Sequence, residues 1–159
     1  MKINQVAYMN TMKTFVLSVL IGFFQPNHAA SCESYIDDDW PDDRYTTLND
    51  NVVIDHETGL MWKQCSEGLS GQSCTQGLLE TFDWQEALES AESANNQAFA
   101  GYSDWRLPNI KELSTLVARN CHEPAINENI FPNTPLFWFW SSTPYPLNPD
   151  GAMYLSFDH

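Results

Sequence analysis

The chain has 159 residues and a formal net charge of −14, with 21 acidic against seven basic side chains. A surface this acidic repels nucleic acid, heparin-like polymers and anionic lipid at long range, which excludes them as partners. The length suffices for one domain and hardly for two.

Phe15 to Phe24 is an uninterrupted, mostly apolar run, preceded by Lys13 and followed by the breakers Gln25, Pro26 and Asn27. It is too short to span a bilayer and has the form of a secretory h-region. Residues 1–30 are therefore read as a signal peptide, cleaved near Ala29, Ala30 or Ser31. Residues 1–11 would be an over-long start, since Met12-Lys13 makes a start on its own. The expected location is the periplasm, the medium or the cell surface, with no membrane span. Ala29-Ala30-Ser31-Cys32 also has the small-small-Cys form of a lipoprotein site, so a lipid on Cys32 stands as an alternative. Removal of Lys2 and Lys13 leaves five basic residues against 21 acidic ones, a net charge near −16.

Cys32, Cys65, Cys74 and Cys121 all lie beyond the leader. An even count in an exported chain of this size reads as two disulfides. Of the three possible pairings, Cys65–Cys74 with Cys32–Cys121 is favoured. The first closes a short loop rich in Gly and Ser; the second ties the N-terminal arm to the end of the second expected helix. Zinc is the competing reading, but neither a Cys-x-x-Cys pair nor a Cys/His cluster has ligand spacing. No metal site is assigned.

Residues 31–43 form an acidic arm with Glu33, Asp37, Asp38, Asp39, Asp42 and Asp43. They lack the spaced pattern of a calcium loop, so solvated charge is expected and no cofactor is assigned, with calcium the unsupported alternative. The folded domain is read as 44–159. Arg44 to Thr47 begins a strand. Val52-Val53-Ile54 and Leu60-Met61-Trp62 flank a turn with Gly59, the pattern of a hairpin. Asp83 caps a helix with Glu86 at the capping-box position, and Trp84, Ala87, Leu88 and Ala91 recur at helical offsets, while Glu89 and Glu92 lie outside.

The densest stretch runs from Gly101 to Val117. Tyr102 to Leu107 alternates as a short strand, Pro108 stops it, and Asn109 with Glu112 forms a second capping box. Ile110, Leu113, Leu116 and Val117 then share a helical face. Asp104 and Arg106 are close enough to pair, and with Trp105 and Pro108 are read as structural. Beyond a proline-punctuated loop, Phe137-Trp138-Phe139-Trp140-Ser141-Ser142 reads as a strand buried on both faces. Met153 to Phe157 is a last, alternating strand. The fold class is α+β, with two helices packed on short antiparallel strands.

Four segments come in the order of a known family. They are Thr58-Gly59-Leu60-Met61-Trp62, Asp83-Trp84-Gln85-Glu86-Ala87-Leu88, Gly101 to Leu113 with its Asp-Trp-Arg-Leu-Pro-Asn run, and Phe131 to Tyr145. Over roughly 44–159 the chain resembles the Lcl C-terminal domain family, long a domain of unknown function. The resemblance implies a fold similar to C-type lectins and formylglycine-generating enzymes, in exported or surface proteins of Gram-negative bacteria. Cysteines at positions like Cys65, Cys74 and Cys121 also occur in many members. Members usually continue past the last alternating strand, whereas this chain stops at Phe157-Asp158-His159. A final strand is therefore expected to be missing, which would leave an unpaired sheet edge. The family takes its name from the end of a bacterial collagen-like adhesin, and the sulfated-polysaccharide binding associated with that adhesin fits poorly with a charge near −16.

No Gly-x-Ser-x-Gly elbow, His-Glu-x-x-His motif or phosphate loop is present, and His56, His122 and His159 are scattered. The copper-binding cysteine pair of formylglycine-generating relatives is unsupported where the cysteines are disulfide-bonded. Glu123-Pro124-Ala125 breaks the Glu-Pro-Asn run of calcium-dependent lectins. Catalytic residues are therefore not assigned. The binding candidates are Trp138, Trp140, Ser141, Ser142 and Tyr145, because aromatics beside hydroxyls suit a sugar or peptide face. The expected function is an exported, non-enzymatic binding or adhesion-type module for an unidentified protein or glycan. A structural or interaction domain without a small-molecule site is the alternative, and an oxidase-like relative of the formylglycine-generating enzymes a more remote one.

Overall fold

The structure is a computed structural model that describes residues 2–3, 30–36, 40–48 and 51–158, with the backbone alone at 2, 3, 149 and 150. The apolar leader run Phe15–Phe24 and Asp37–Asp39 of the acidic arm lie outside the described residues.

Eleven strands and two α-helices are described, and the chain is a mixed α+β domain with small sheets. Strand β1 is Lys2–Ile3 and β2 is Ser31–Cys32. A short 3-10 turn at Asp42–Arg44 leads into β3, Tyr45–Leu48, followed by β4, Val52–Asp55, and β5, Met61–Lys63. These three strands form an antiparallel meander with Thr47 opposite Val53 and Val53 opposite Trp62. The β4–β5 connection is the expected hairpin. Gly59 at φ 69° closes it, and its amide donates to the Asp55 carbonyl at 2.9 Å.

The loop closed by Cys65–Cys74 carries β6, Leu69–Ser70, which pairs in a miniature hairpin with β7, Gln76–Gly77, just beyond the bridge. Glycine is required at Gly77, since a Cβ there would lie 2.1 Å from the Gly68 carbonyl oxygen. Helix α1, Trp84–Asn96, starts at a complete capping box between Asp83 and Glu86. It buries Ala87, Ala91 and Ala94, one small-residue stripe that lets the helix sit close against its neighbours. Leu88, expected on that stripe, is instead exposed, because one residue past Ala87 turns it about 100° round the helix.

Strand β8 is Trp105–Arg106, shorter than the alternating Tyr102–Leu107 pattern suggested. The Asn95 side chain explains part of that, donating to the Trp105 carbonyl at 2.9 Å and accepting from its amide at 2.6 Å. One amide side chain thus satisfies the peptide groups that a longer ladder would take. Helix α2, Ile110–Ser114, begins at the expected Asn109–Glu112 capping box but ends earlier than the apolar spacing implied. Leu116 and Val117 lie in tighter i→i+3 turns, with amides donating to Leu113 and Ser114 carbonyls, and Leu116 remains fully buried.

Strand β9, Cys121–His122, pairs with β2 so that Cys32 faces Cys121, and the second disulfide crosses that pair. Both expected disulfides are therefore present. A sulfur engaged this way is not available to a lipid thioether or a zinc ion. Strands β10, Trp138–Tyr145, and β11, Asn148–Ser156, form a long hairpin with register shifts near Pro144.

The main sheet has the order β3-β4-β5-β1-β8, with β1 parallel to both its neighbours. The largest core cluster joins Val53 and Trp62 of this sheet to Leu113 and Leu116, and to Phe139 and Phe157 of the hairpin. Among the described residues no helix is long and apolar enough to cross a membrane.

Candidate functional site

The β10–β11 hairpin carries the aromatic residues singled out from sequence, and the pleat divides them. Phe139 and Ser141 point into the protein, whereas Trp138 and Trp140 lie on the opposite side. Tyr154 stands directly across from Trp140. Its ring lies 5.4 Å from Trp138, tilted by 46°, and 6.2 Å from Trp140, edge-on. Trp138 is 41% exposed and Tyr154 47%. The expectation that this strand is buried on both faces holds for Phe139, Trp140 and Ser141 but fails for Phe137 and Trp138. Helix α1 reaches far enough to cover Trp140 through Ala87, and not the hairpin's open end.

The buried members position the exposed ones. Trp140 donates its indole N–H to the Phe82 carbonyl at 3.0 Å, and Trp84 donates to the Ser141 carbonyl at 3.0 Å. Ser141 Oγ donates to the Met153 carbonyl across the hairpin at 2.7 Å and accepts from the Thr143 amide. The Ser142 amide donates to the Pro108 carbonyl at 2.7 Å, and the Thr143 hydroxyl accepts from the Ile110 amide. So the Pro108 turn and the start of α2 clamp β10. Of the five binding candidates, Trp138 and Tyr145 lie open to solvent, Ser142 is half-buried, and Trp140 and Ser141 are buried. Tyr154 was not singled out from sequence. Its place on the outward side of the alternating Met153–Phe157 strand is the signal that could have found it.

Phe82 joins this aromatic face to a cleft of about 600 Å³ beside α1. Glu67, Glu80, Glu86 and Glu89 line it, together with Phe82 and Phe99. Lys63 enters from β5, with Nζ 2.6 Å from Glu67 Oε2 and 4.8 Å from the centre of the Phe99 ring. An ammonium group is thus held by one carboxylate and one aromatic face, surrounded by further carboxylates. A second, smaller cleft lies against the Cys32–Cys121 bridge.

The residues read as structural tie this site to the core. Trp105 is buried and donates its indole N–H to the Phe99 carbonyl at 3.1 Å. The guanidinium fork of Arg106 closes on Glu112 at 2.6 and 2.9 Å, while Glu112 also caps α2. The Arg106 bonds, reinforced by the Asn109 amide, hold the Glu112 carboxyl below its ordinary range against the opposing effect of burial. Asp104 is exposed. Arg44 and Asp55 form a more deeply buried pair, which sequence spacing did not single out. Burial alone would raise the Asp55 pKa, but hydrogen bonds from Arg44, Thr58 and the Glu57 amide outweigh it and leave it lowered.

Among the described residues, no group of three or more His, Cys, Asp and Glu side chains is placed to hold a metal ion. His56 lies in the hairpin turn with Nε2 2.8 Å from Thr46 Oγ1, and His122 is exposed on β9.

These features define a disulfide-bridged α+β domain with an open aromatic hairpin face beside an acidic cleft. Residues 51–159, more than half of the chain, match the Lcl C-terminal domain family, and the chain belongs to it. No curated protein and no solved structure matches the chain.

Proposed function

We propose that this chain is an exported, non-enzymatic binding module of the bacterial envelope or surface, contacting its ligand through the β10–β11 face. The observation that carries this reading is the tilted, solvent-open ring pair Trp138 and Tyr154. Two large rings held half-exposed by a buried hydrogen-bonded base offer flat apolar area at little entropic cost on binding. Sugar rings and extended peptides both present faces that stack on such a platform. The adjoining carboxylate-lined cleft favours neutral or cationic ligands over sulfated ones. The two disulfides suit an oxidising compartment, and the lectin-like fold implied by the family is part of the same reading.

A glycan and peptide array probed with the purified protein tests this directly. Binding that disappears in Trp138→Ala and Tyr154→Ala, with thermal melting retained, is the expected result. Silence on the array together with turnover on a hydrolase or oxidase panel would overturn it. The second reading, a structural domain without a small-molecule site, draws on the burial of Trp140 and Ser141. It predicts an array signal of zero and no turnover.

A further inference from the structure

The fourth position of the main sheet is filled from an unexpected place. Lys2–Ile3, within the stretch read as the leader, lies between β5 and β8 and runs parallel to both. Lys2 is in register with Met61 and Trp105, and Ile3 with Trp62 and Arg106. The flanking strands are otherwise fully committed. Asp55 donates to Leu60 and Gln64 to Asn51, so by strand alternation the peptide groups of Met61 and Lys63 turn away from β4 toward β1. Asn95 takes both peptide groups of Trp105 on the far edge of β8, so those of Arg106 also turn inward. Trp62 and Trp105, on the two flanking strands, are buried. Removal of residues 1–30 would therefore open a gap with unpaired backbone groups on both sides, in an apolar setting where such groups are costly.

We propose that the space between β5 and β8 is a strand-accepting site, which in the processed protein takes an extended basic–aliphatic peptide from another polypeptide. This rests on the export reading, which requires the leader to leave. The register defines the chemistry. The first position lies between Met61 and Trp105, in the apolar cluster they form with Val52 and Ala94. That cluster meets, at Ala94 and Phe99, the cleft lined by Glu67, Glu80, Glu86 and Glu89, so a side chain with a long apolar stem and a cationic end is favoured there. The second position lies beside Trp62, on the face that carries the main core, and calls for an aliphatic residue. Main-chain bonds on both edges supply affinity, and these two positions supply selectivity.

The test uses the protein recovered after export, its N-terminus read by mass spectrometry, and a synthetic peptide with the sequence of residues 1–8. Hydrogen exchange at the Met61, Lys63 and Arg106 amides is the readout. In the processed protein alone these amides should exchange rapidly, and saturating peptide should slow them by about tenfold or more, with a rise in melting temperature. A peptide with Ile3→Pro should give no protection, and one with Lys2→Glu should bind more weakly. Slow exchange in the processed monomer without peptide, or no response to the peptide, would overturn the site. Protection that grows with protein concentration alone would assign the gap to a second copy and overturn the partner. Retention of residues 1–3 on the exported protein would instead refute leader removal, a failure distinguishable by mass from failure of the site.

Discussion

Arg44 and Asp55 meet as a two-pronged ion pair at the edge of the main core. Arg44 Nε donates to Asp55 Oδ1 at 2.9 Å, and its terminal nitrogen to Oδ2 at 2.6 Å. Asp55 is fully buried and Arg44 nearly so. The same carboxylate accepts from the Glu57 amide and the Thr58 hydroxyl, so it also shapes the β4–β5 turn. Removing Arg44 leaves the Asp55 carboxylate buried without its cation, and removing Asp55 leaves the guanidinium to the solvent-exposed Glu57 carboxylate at 3.1 Å, a weaker partner. Asp55→Ala or Arg44→Ala should each cost about 3–5 kcal/mol in urea unfolding, and the double variant clearly less than their sum. Additive losses would show that the pair is not coupled.

Acid should loosen the fold through the same carboxylate and through Glu112. Both have folded pKa values lowered below the ordinary carboxylate range. A lowered folded pKa contributes stability that is complete above the unfolded value, about 4, and is lost as pH falls through the folded value. Melting temperature should therefore hold from pH 7 to about 5 and drop steeply below about 4. The gap between the wild-type protein and Asp55→Asn should narrow over the same interval. An unchanged gap at pH 2 would refute the linkage.

The start of α2 depends on groups that serve two purposes. Asn109 Oδ1 accepts from the Lys111 and Glu112 amides, while Glu112 accepts from the Asn109 amide and from Arg106. Asn109→Ala should cost about 1 kcal/mol as a lost cap. Glu112→Ala should cost more, about 2 kcal/mol, because the cap and the charge-assisted bonds go together. Chemical denaturation of both variants checks the order, and the reverse order would remove Arg106 from the account.

How much of this could be read beforehand depends on whether the cause is local. Both capping boxes, the Gly59 hairpin and the two disulfides follow from short-range spacing or from cysteine count, and all are present. Errors arose where distant partners decide. Asn95 takes the peptide groups of Trp105, ten residues away, and β8 is short. The α1 stripe of alanines leaves Leu88 outside, which its apolar character did not suggest. The aromatic strand read as uniformly buried because local sequence cannot tell where α1 stops covering it. Tyr154 joined the site only through hairpin register, and the Arg44–Asp55 pair through the meeting of β3 and β4.

The two disulfides should differ in weight. Cys65 and Cys74 are nine residues apart and Cys32 and Cys121 eighty-nine. In the chain-entropy account the short bridge contributes about 2–3 kcal/mol and the long one about 4–5 kcal/mol. Cys65→Ser with Cys74→Ser should lower the urea midpoint modestly. Cys32→Ser with Cys121→Ser should lower it more and release the β2–β9 pair. Equal losses would mean that the short loop's β6–β7 hairpin depends on its bridge beyond the entropy of closure.

Trp138 and Tyr154 supply the sharpest separation between folding and binding. Their rings pack on each other, and that of Tyr154 also meets Trp140 at a steep angle, but roughly half of each faces solvent. Replacing either by Ala removes one aromatic pair and some half-buried area, a loss of about 1 kcal/mol. Trp140→Ala removes a buried indole, its bond to Phe82 and its packing on Ala87, and should cost about 3–5 kcal/mol. Ligand response should follow the opposite ranking per unit of stability lost. Trp138→Ala and Tyr154→Ala should abolish array binding in a protein that still melts near the wild-type temperature. If instead binding survives both and fails only when Trp140 is lost, the open aromatic face is not the contact surface, and the acidic cleft beyond Phe82 is the place to look.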